Sequence, residues 1–94
     1  MNSLIQSKRQ AILQLAAKRG IKNVRLFGSM ARNEAQHDSD VDFLVELEKG
    51  RTGLALGGFL MDVSELLNRK VDVVTEKALH KSIRERILQE AIAL

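Results

Sequence analysis

The chain has 94 residues, 45% of them apolar, no cysteine and a net charge of +3. That apolar fraction excludes a disordered chain, and the lack of cysteine excludes disulfides and thiolate metal sites. No run of ~18 apolar residues is present to span a membrane, and the start, Met1-Asn2-Ser3-Leu4-Ile5, carries no signal-peptide core. One domain over residues 1–94, located in the cytoplasm, is the resulting expectation.

Leu4, Ile5, Ile12, Leu15 and Ala16 recur at helical spacing, so residues 3–19 are predicted helical, with Ser3 as N-cap and Gly20 as the stop. This segment is basic: residues 1–25 hold Lys8, Arg9, Lys18, Arg19, Lys22 and Arg25 and no acid. A solvated helix face accounts for that run, and with no Tyr or Trp to stack on bases it does not indicate nucleic-acid binding. A short strand follows over residues 23–27, where Val24 and Leu26 flank Arg25. Gly28-Ser29 breaks it, with Ser29 placed to cap a short helix over residues 30–35.

Residues 40–47 form the second predicted strand. Side chains alternate along a strand, so Val41, Phe43, Val45 and Leu47 share one face, and Asp40, Asp42, Leu44 and Glu46 the other. After a polar loop, residues 54–67 read as a helix, although Gly57 and Gly58 are poor helix formers that imply tight packing against a neighbouring backbone. Residues 70–74 are the third strand, and Ile83, Ile87, Leu88, Ala91 and Ile92 mark a last helix. Ile92 and Leu94 are expected to be exposed, for self-association or partner docking. The expected fold is α/β (α+β), a small three-stranded mixed sheet with helices packed mainly on one face.

The chemistry concentrates in Gly28-Ser29, a gap of ten residues, and Asp40-Val41-Asp42. Carboxylates at i and i+2 of a strand point the same way and repel each other, which burial makes worse. A divalent cation between them resolves that conflict, and an all-oxygen set suits Mg²⁺ or Mn²⁺. Asp72 is a lone acid in the apolar third strand. If that strand lies beside the second, Asp40, Asp42 and Asp72 converge into a two-metal site able to align an attacking oxygen and a leaving phosphate.

Gly28 permits a turn whose backbone N–H groups approach a phosphate. Ser29 can donate its hydroxyl, and Arg32 can neutralise a triphosphate. Each feature alone is ordinary, since most Gly-Ser pairs and Asp-x-Asp triplets are turns. Together at one fixed spacing they arise by chance in roughly one chain in a thousand. His37 lies in the loop before the acids, where histidines are usually only solvated, and His80 reads as a surface or capping residue. No Ser-His-Asp order, P-loop or His-rich metal motif is present.

Gly28-Ser29, Asp40-Val41-Asp42 and Asp72 together resemble the nucleotidyltransferase superfamily typified by DNA polymerase beta. The stretches Gly-Ser-Met-Ala-Arg (28–32) and Asp-Ser-Asp-Val-Asp-Phe-Leu-Val (38–45) are similar to its minimal nucleotidyltransferase branch. The resemblance spans roughly residues 20–76. It implies Mg²⁺-dependent transfer of AMP from ATP, with Asp40, Asp42 and Asp72 as catalytic and metal-binding residues and Gly28, Ser29 and Arg32 at the nucleotide. Asp72 would also orient or deprotonate the attacking hydroxyl.

The resemblance further implies an antitoxin paired with a HEPN-domain toxin and, in some members, adenylylation of a toxin tyrosine. Two positions depart from the pattern: Met30 stands where a basic residue is common, and Asn33 where glycine is common. Beside the enzyme stands a binding module that neutralises its partner by stoichiometric contact. Transfer to a small molecule or to RNA is a third reading, though such members usually carry an extra C-terminal domain. A chain this short has little left to form an acceptor pocket, so a second protein is expected to supply the acceptor.

Overall fold

The computed structural model describes residues 2–36 and 38–94, so His37 lies outside the described residues. Helix α1 spans Ser3–Arg19. Its N-cap is Asn2, not Ser3: Asn2 Oδ1 accepts from the N–H groups of Leu4 at 2.9 Å and Ile5 at 3.4 Å, two donors the first turn otherwise leaves unpaired. Gly20 ends the helix in the left-handed region at φ 73°, a conformation only glycine adopts without cost.

Strand β1, Ile21–Phe27, starts earlier than predicted and carries an irregularity between Lys22 and Arg25. Asn23 sits there at φ 50°, and the extra residue restores Val24 and Leu26 to the core face. Strand β2 is Val41–Leu47, helix α2 Gly53–Leu67, strand β3 Val71–Thr75 and helix α3 Lys81–Glu90. His80 caps α3, its Nδ1 accepting from Ser82 N–H at 3.2 Å.

The sheet has four strands, one more than expected, because Ile92–Ala93 leave α3 to form β4 along β1. Its order is β3-β2-β1-β4, mixed, with only β2 and β3 parallel. Ile92 is consequently half-buried in a ladder. Leu94 packs on the core and donates its N–H to Val24 O at 3.0 Å, so the expected exposed apolar end is absent.

Helices α1 and α2 cover one sheet face, where Ile5, Ile12, Val41, Phe43, Val45, Phe59 and Val63 are fully buried. Leu44 points to the other face and is fully buried too, because α3 lies there with Ile87 and Leu79. On this second face the cover centres on Leu44, and Asp42 and Glu46 to either side of it are half-buried. Of the two helical glycines, Gly58 packs against the Arg19 side chain and Gly57 faces open space, so neither meets the neighbouring backbone that the sequence implied. Among the described residues no helix is long and apolar enough to cross a membrane.

Candidate active site

Parallel pairing of β2 with β3 sets Asp42 directly beside Asp72, Cα partner to Cα partner, about 4.8 Å apart in the hydrogen-bonding direction. Both point to the face that carries α3, opposite the large core, since Val41 and Phe43 on either side of Asp42 are fully buried against α1 and α2. Asp72 is exposed and Asp42 half-buried. Asp40 precedes β2 with its side chain 51% exposed, and its Oδ2 lies 3.8 Å from Lys70 Nζ. Among the described residues no three acidic or histidine side chains close on a single point: the pair Asp42 and Asp72 is in place, and Asp40 is turned toward Lys70.

Phe27 pairs with Asp42, so the end of β1 delivers Gly28 against the same carboxylate. Gly28 is at φ 75°, and a Cβ there would collide with Asp42 Oδ2. The backbone conformation and the close approach each require glycine. The segment that follows is not the predicted helix over residues 30–35 but a 3₁₀ turn, Gly28–Met30. Gly28 O accepts from Ala31 and Arg32 N–H at 3.0 and 3.1 Å, and Ser29 O accepts from Glu34 N–H at 2.9 Å.

Ser29 is half-buried within the turn and caps no helix. Met30 is fully buried in the core, which explains an apolar residue where a basic one is common. Asn33 adopts φ 58°, a left-handed position that asparagine tolerates better than most residues.

The electrostatics match the crowding. Burial, then the nearby charges of Asp72 and Asp40, push the Asp42 carboxyl above its ordinary value; Arg32 opposes them, and Glu90 adds a small further push. A half-buried carboxylate raised by its acidic neighbours is the setting a divalent cation relieves, and oxygen donors are what Mg²⁺ or Mn²⁺ takes. The donor set therefore fits such an ion, with Asp40 free to rotate from its long, exposed contact with Lys70.

Two participants were not read from the sequence. Lys70 lies 3.8 Å from Asp40 across an exposed contact. Glu90, the last residue of α3, accepts from Gly28 N–H at 2.9 Å and from Arg32 Nη1 at 2.8 Å. Glu34 also binds Arg32, through Nε at 3.0 Å, and its hydrogen bond is the largest cause raising the Arg32 pKa, with Glu90 contributing. The one signal for Glu90 is its place at the carboxyl end of a helix, where an acid is disfavoured.

A hollow of ≈ 600 Å³ lies elsewhere, at the far ends of β2 and β3, lined by residues that include Lys22, Glu46, Thr75, Glu76, Lys77 and Arg84. Its lining mixes acidic with basic side chains, and the crowded in-register pair Asp42 and Asp72 locates the candidate site better than the hollow does.

The family profile described as "Nucleotidyltransferase domain" matches residues 8–94. The chain is 38% identical over 88 residues to "Putative protein adenylyltransferase MJ0435" of Methanocaldococcus jannaschii, covering 94% of this chain and 95% of that protein. It is 33% identical over 79 residues to "Protein adenylyltransferase MntA" of Thermococcus cleftensis, covering 84% and 80%. A solved structure described as "Structure of putative minimal nucleotidyltransferase" superposes with a TM-score of 0.87 at 43% identity, covering 100% of this chain and 97% of the other. A second, "Crystal structure of the toxin-antitoxin with AMP-PNP", shares the fold at a TM-score of 0.75 and 17% identity, covering 89% and 69%.

Proposed function

The chain belongs to the nucleotidyltransferase domain family, in its minimal branch, and from that premise we propose that this nucleotidyltransferase moves AMP from ATP to a hydroxyl, that of a tyrosine, on a HEPN-domain toxin and so acts as its antitoxin. The observation that carries the reading is the in-register pair Asp42 and Asp72 beside Gly28. Relatives named protein adenylyltransferases support AMP as the group transferred. The fold shared with a toxin–antitoxin assembly containing AMP-PNP supports ATP as donor and a toxin as partner. The reaction is assigned to the cytoplasm, where ATP is supplied.

In this mechanism Gly28 N–H, the Ser29 hydroxyl and Arg32 hold the triphosphate. Asp40, Asp42 and Asp72 would hold Mg²⁺ or Mn²⁺, which would supply positive charge at the reacting phosphate. Asp72, exposed at the sheet edge, faces the arriving acceptor and takes the proton of its hydroxyl. The acceptor oxygen bonds to the α-phosphorus, the bond to the bridging oxygen breaks, and pyrophosphate leaves with that electron pair. The partner brings the acceptor to an open surface.

Intact-mass spectrometry of the chain with ATP, Mg²⁺ and the protein encoded beside it tests this. A gain of ~329 Da (one AMP) on the partner, absent with Asp42→Asn, is expected for metal-assisted transfer. A second reading, neutralisation by stoichiometric contact, draws on one observation: among the described residues the three acids do not close on a single point. A stable complex without a mass change, and with neutralisation surviving replacement of both Asp40 and Asp42 by Asn, would select it.

A further inference from the structure

The donors assigned above to the triphosphate already hold an anion. Glu90 Oε2 accepts from Gly28 N–H at 2.9 Å and from Arg32 Nη1 at 2.8 Å, and Oε1 accepts from the same Nη1 at 3.3 Å. The side chain is only 17% exposed.

The fold delivers it there. Strand β4 pairs Ile92 with Leu26 and Ala93 with Arg25, and the same register, continued toward α3, sets Glu90 opposite Gly28. Its own helix opposes this placement: Glu90 is the last residue of α3, at the carbonyl end where negative charge is disfavoured, with no basic residue in that turn to offset it. Asp42 opposes it too, since Glu90 adds to the charge that disfavours the Asp42 carboxylate. What holds the carboxylate in place is the pair of donors, Gly28 N–H and Arg32, and they are the ones a phosphate oxygen needs.

We propose that Glu90 is a built-in competitor for the triphosphate: its carboxylate sits in the seat of a phosphate group, nucleotide binding displaces it, and Glu90 thereby sets the affinity of the site. The inference rests on the reading of Gly28 and Arg32 as phosphate ligands. A triphosphate brings more negative charge and more acceptor oxygens than one carboxylate, so it wins the seat when abundant. Displacement needs only rotation of the Glu90 side chain, since β4 holds the end of α3. Meanwhile the carboxylate keeps Arg32 oriented and the Gly28 N–H satisfied, so the seat is formed before the nucleotide arrives.

Isothermal titration of the full chain with ATP–Mg²⁺, inorganic triphosphate and adenosine, comparing wild type, Glu90→Gln and Glu90→Ala, tests this. Removing a charge-assisted competitor should tighten ATP and inorganic triphosphate about three- to tenfold in both variants and leave adenosine unchanged. Glu90→Gln keeps the size of the side chain and carries the test if Glu90→Ala melts early. Unchanged or weaker triphosphate binding in the folded variants would overturn the inference and make Glu90 a brace for Arg32. A wild type that binds neither ATP nor triphosphate, and is indistinguishable from Arg32→Ala, would instead overturn the phosphate reading itself, and the inference with it.

Discussion

Burial at the start of β2, reinforced by the charges of Asp72 and Asp40, holds the Asp42 carboxyl above its ordinary value of 3.8. Because folding raises this pKa, the group's contribution to stability is present below the ordinary value and is lost as pH rises through the raised one. At neutral pH the ionised Asp42 therefore costs the ligand-free chain stability. Asp42→Asn should raise the melting temperature of the ligand-free chain at pH 7 by up to a few degrees while abolishing transfer. The gain should fade as pH falls through the raised pKa and be gone below about 4, where Asp42 is neutral in both the folded and the unfolded chain. Thermal melts followed by circular dichroism from pH 3 to 7 measure it, and an equal or lower melting temperature at pH 7 would contradict the account. At this scale the sequence named the residues that meet, Asp42, Asp72 and Gly28, because their types and spacing are local properties of the chain. Glu90 was not legible, since nothing local ties it to Gly28 across 62 positions of chain.

Among the elements, α2 is where local propensity and packing disagree. Arg19 of α1 binds Asp62 of α2 through two hydrogen bonds, Nε at 2.9 Å and Nη2 at 3.2 Å, and these hold the Asp62 carboxyl below its ordinary value. Gly58 makes room for that guanidinium: a Cβ there would come within 2.7 Å of Arg19 Nη1. Gly57 meets nothing within 4 Å and only weakens the helix. Gly57→Ala should therefore stabilise the chain by ~0.5–1 kcal/mol, whereas Gly58→Ala should lose that gain by displacing Arg19 from Asp62. Urea midpoints ranked with Gly57→Ala highest, and with Gly58→Ala at or below wild type, are the expected result. Equal gains in both would show that the Arg19 contact carries no weight. The sequence showed two poor helix formers and no means of telling them apart.

For the whole molecule, the central fact is that one side of β2 is fully buried at Val41, Phe43 and Val45, while Asp42 and Glu46 on the other side are half-buried either side of Leu44. Phe43 anchors one face, its ring 6.1 Å from that of Phe59 in an edge-to-face arrangement. Phe43→Ala should remove ~3–5 kcal/mol from a domain so small that its total stability is expected near the lower end of 5–15 kcal/mol. Chemical denaturation should find the variant largely unfolded at 37 °C, with transfer and fold lost together, unlike Asp42→Asn, which loses transfer alone. A well-folded Phe43→Ala would mean that the core is less cooperative than its burial implies.

What the sequence determined by itself was the order of the three α-helices and the first three strands, and the core face of β2; the helix expected over residues 30–35 and the count of three strands were not borne out. Period-two and period-3.6 patterns, and the need of clustered carboxylates for a cation, are local properties of the chain. What only the tertiary structure decided was which residues meet. Parallel pairing put Asp72 beside Asp42. A fourth strand, too short to show a periodic pattern, turned the expected exposed end into a ladder and brought Glu90 over Gly28. Those contacts depend on strand register and on the path of the backbone between distant segments, which are settled by packing of the whole sheet and not by any stretch of residues read alone.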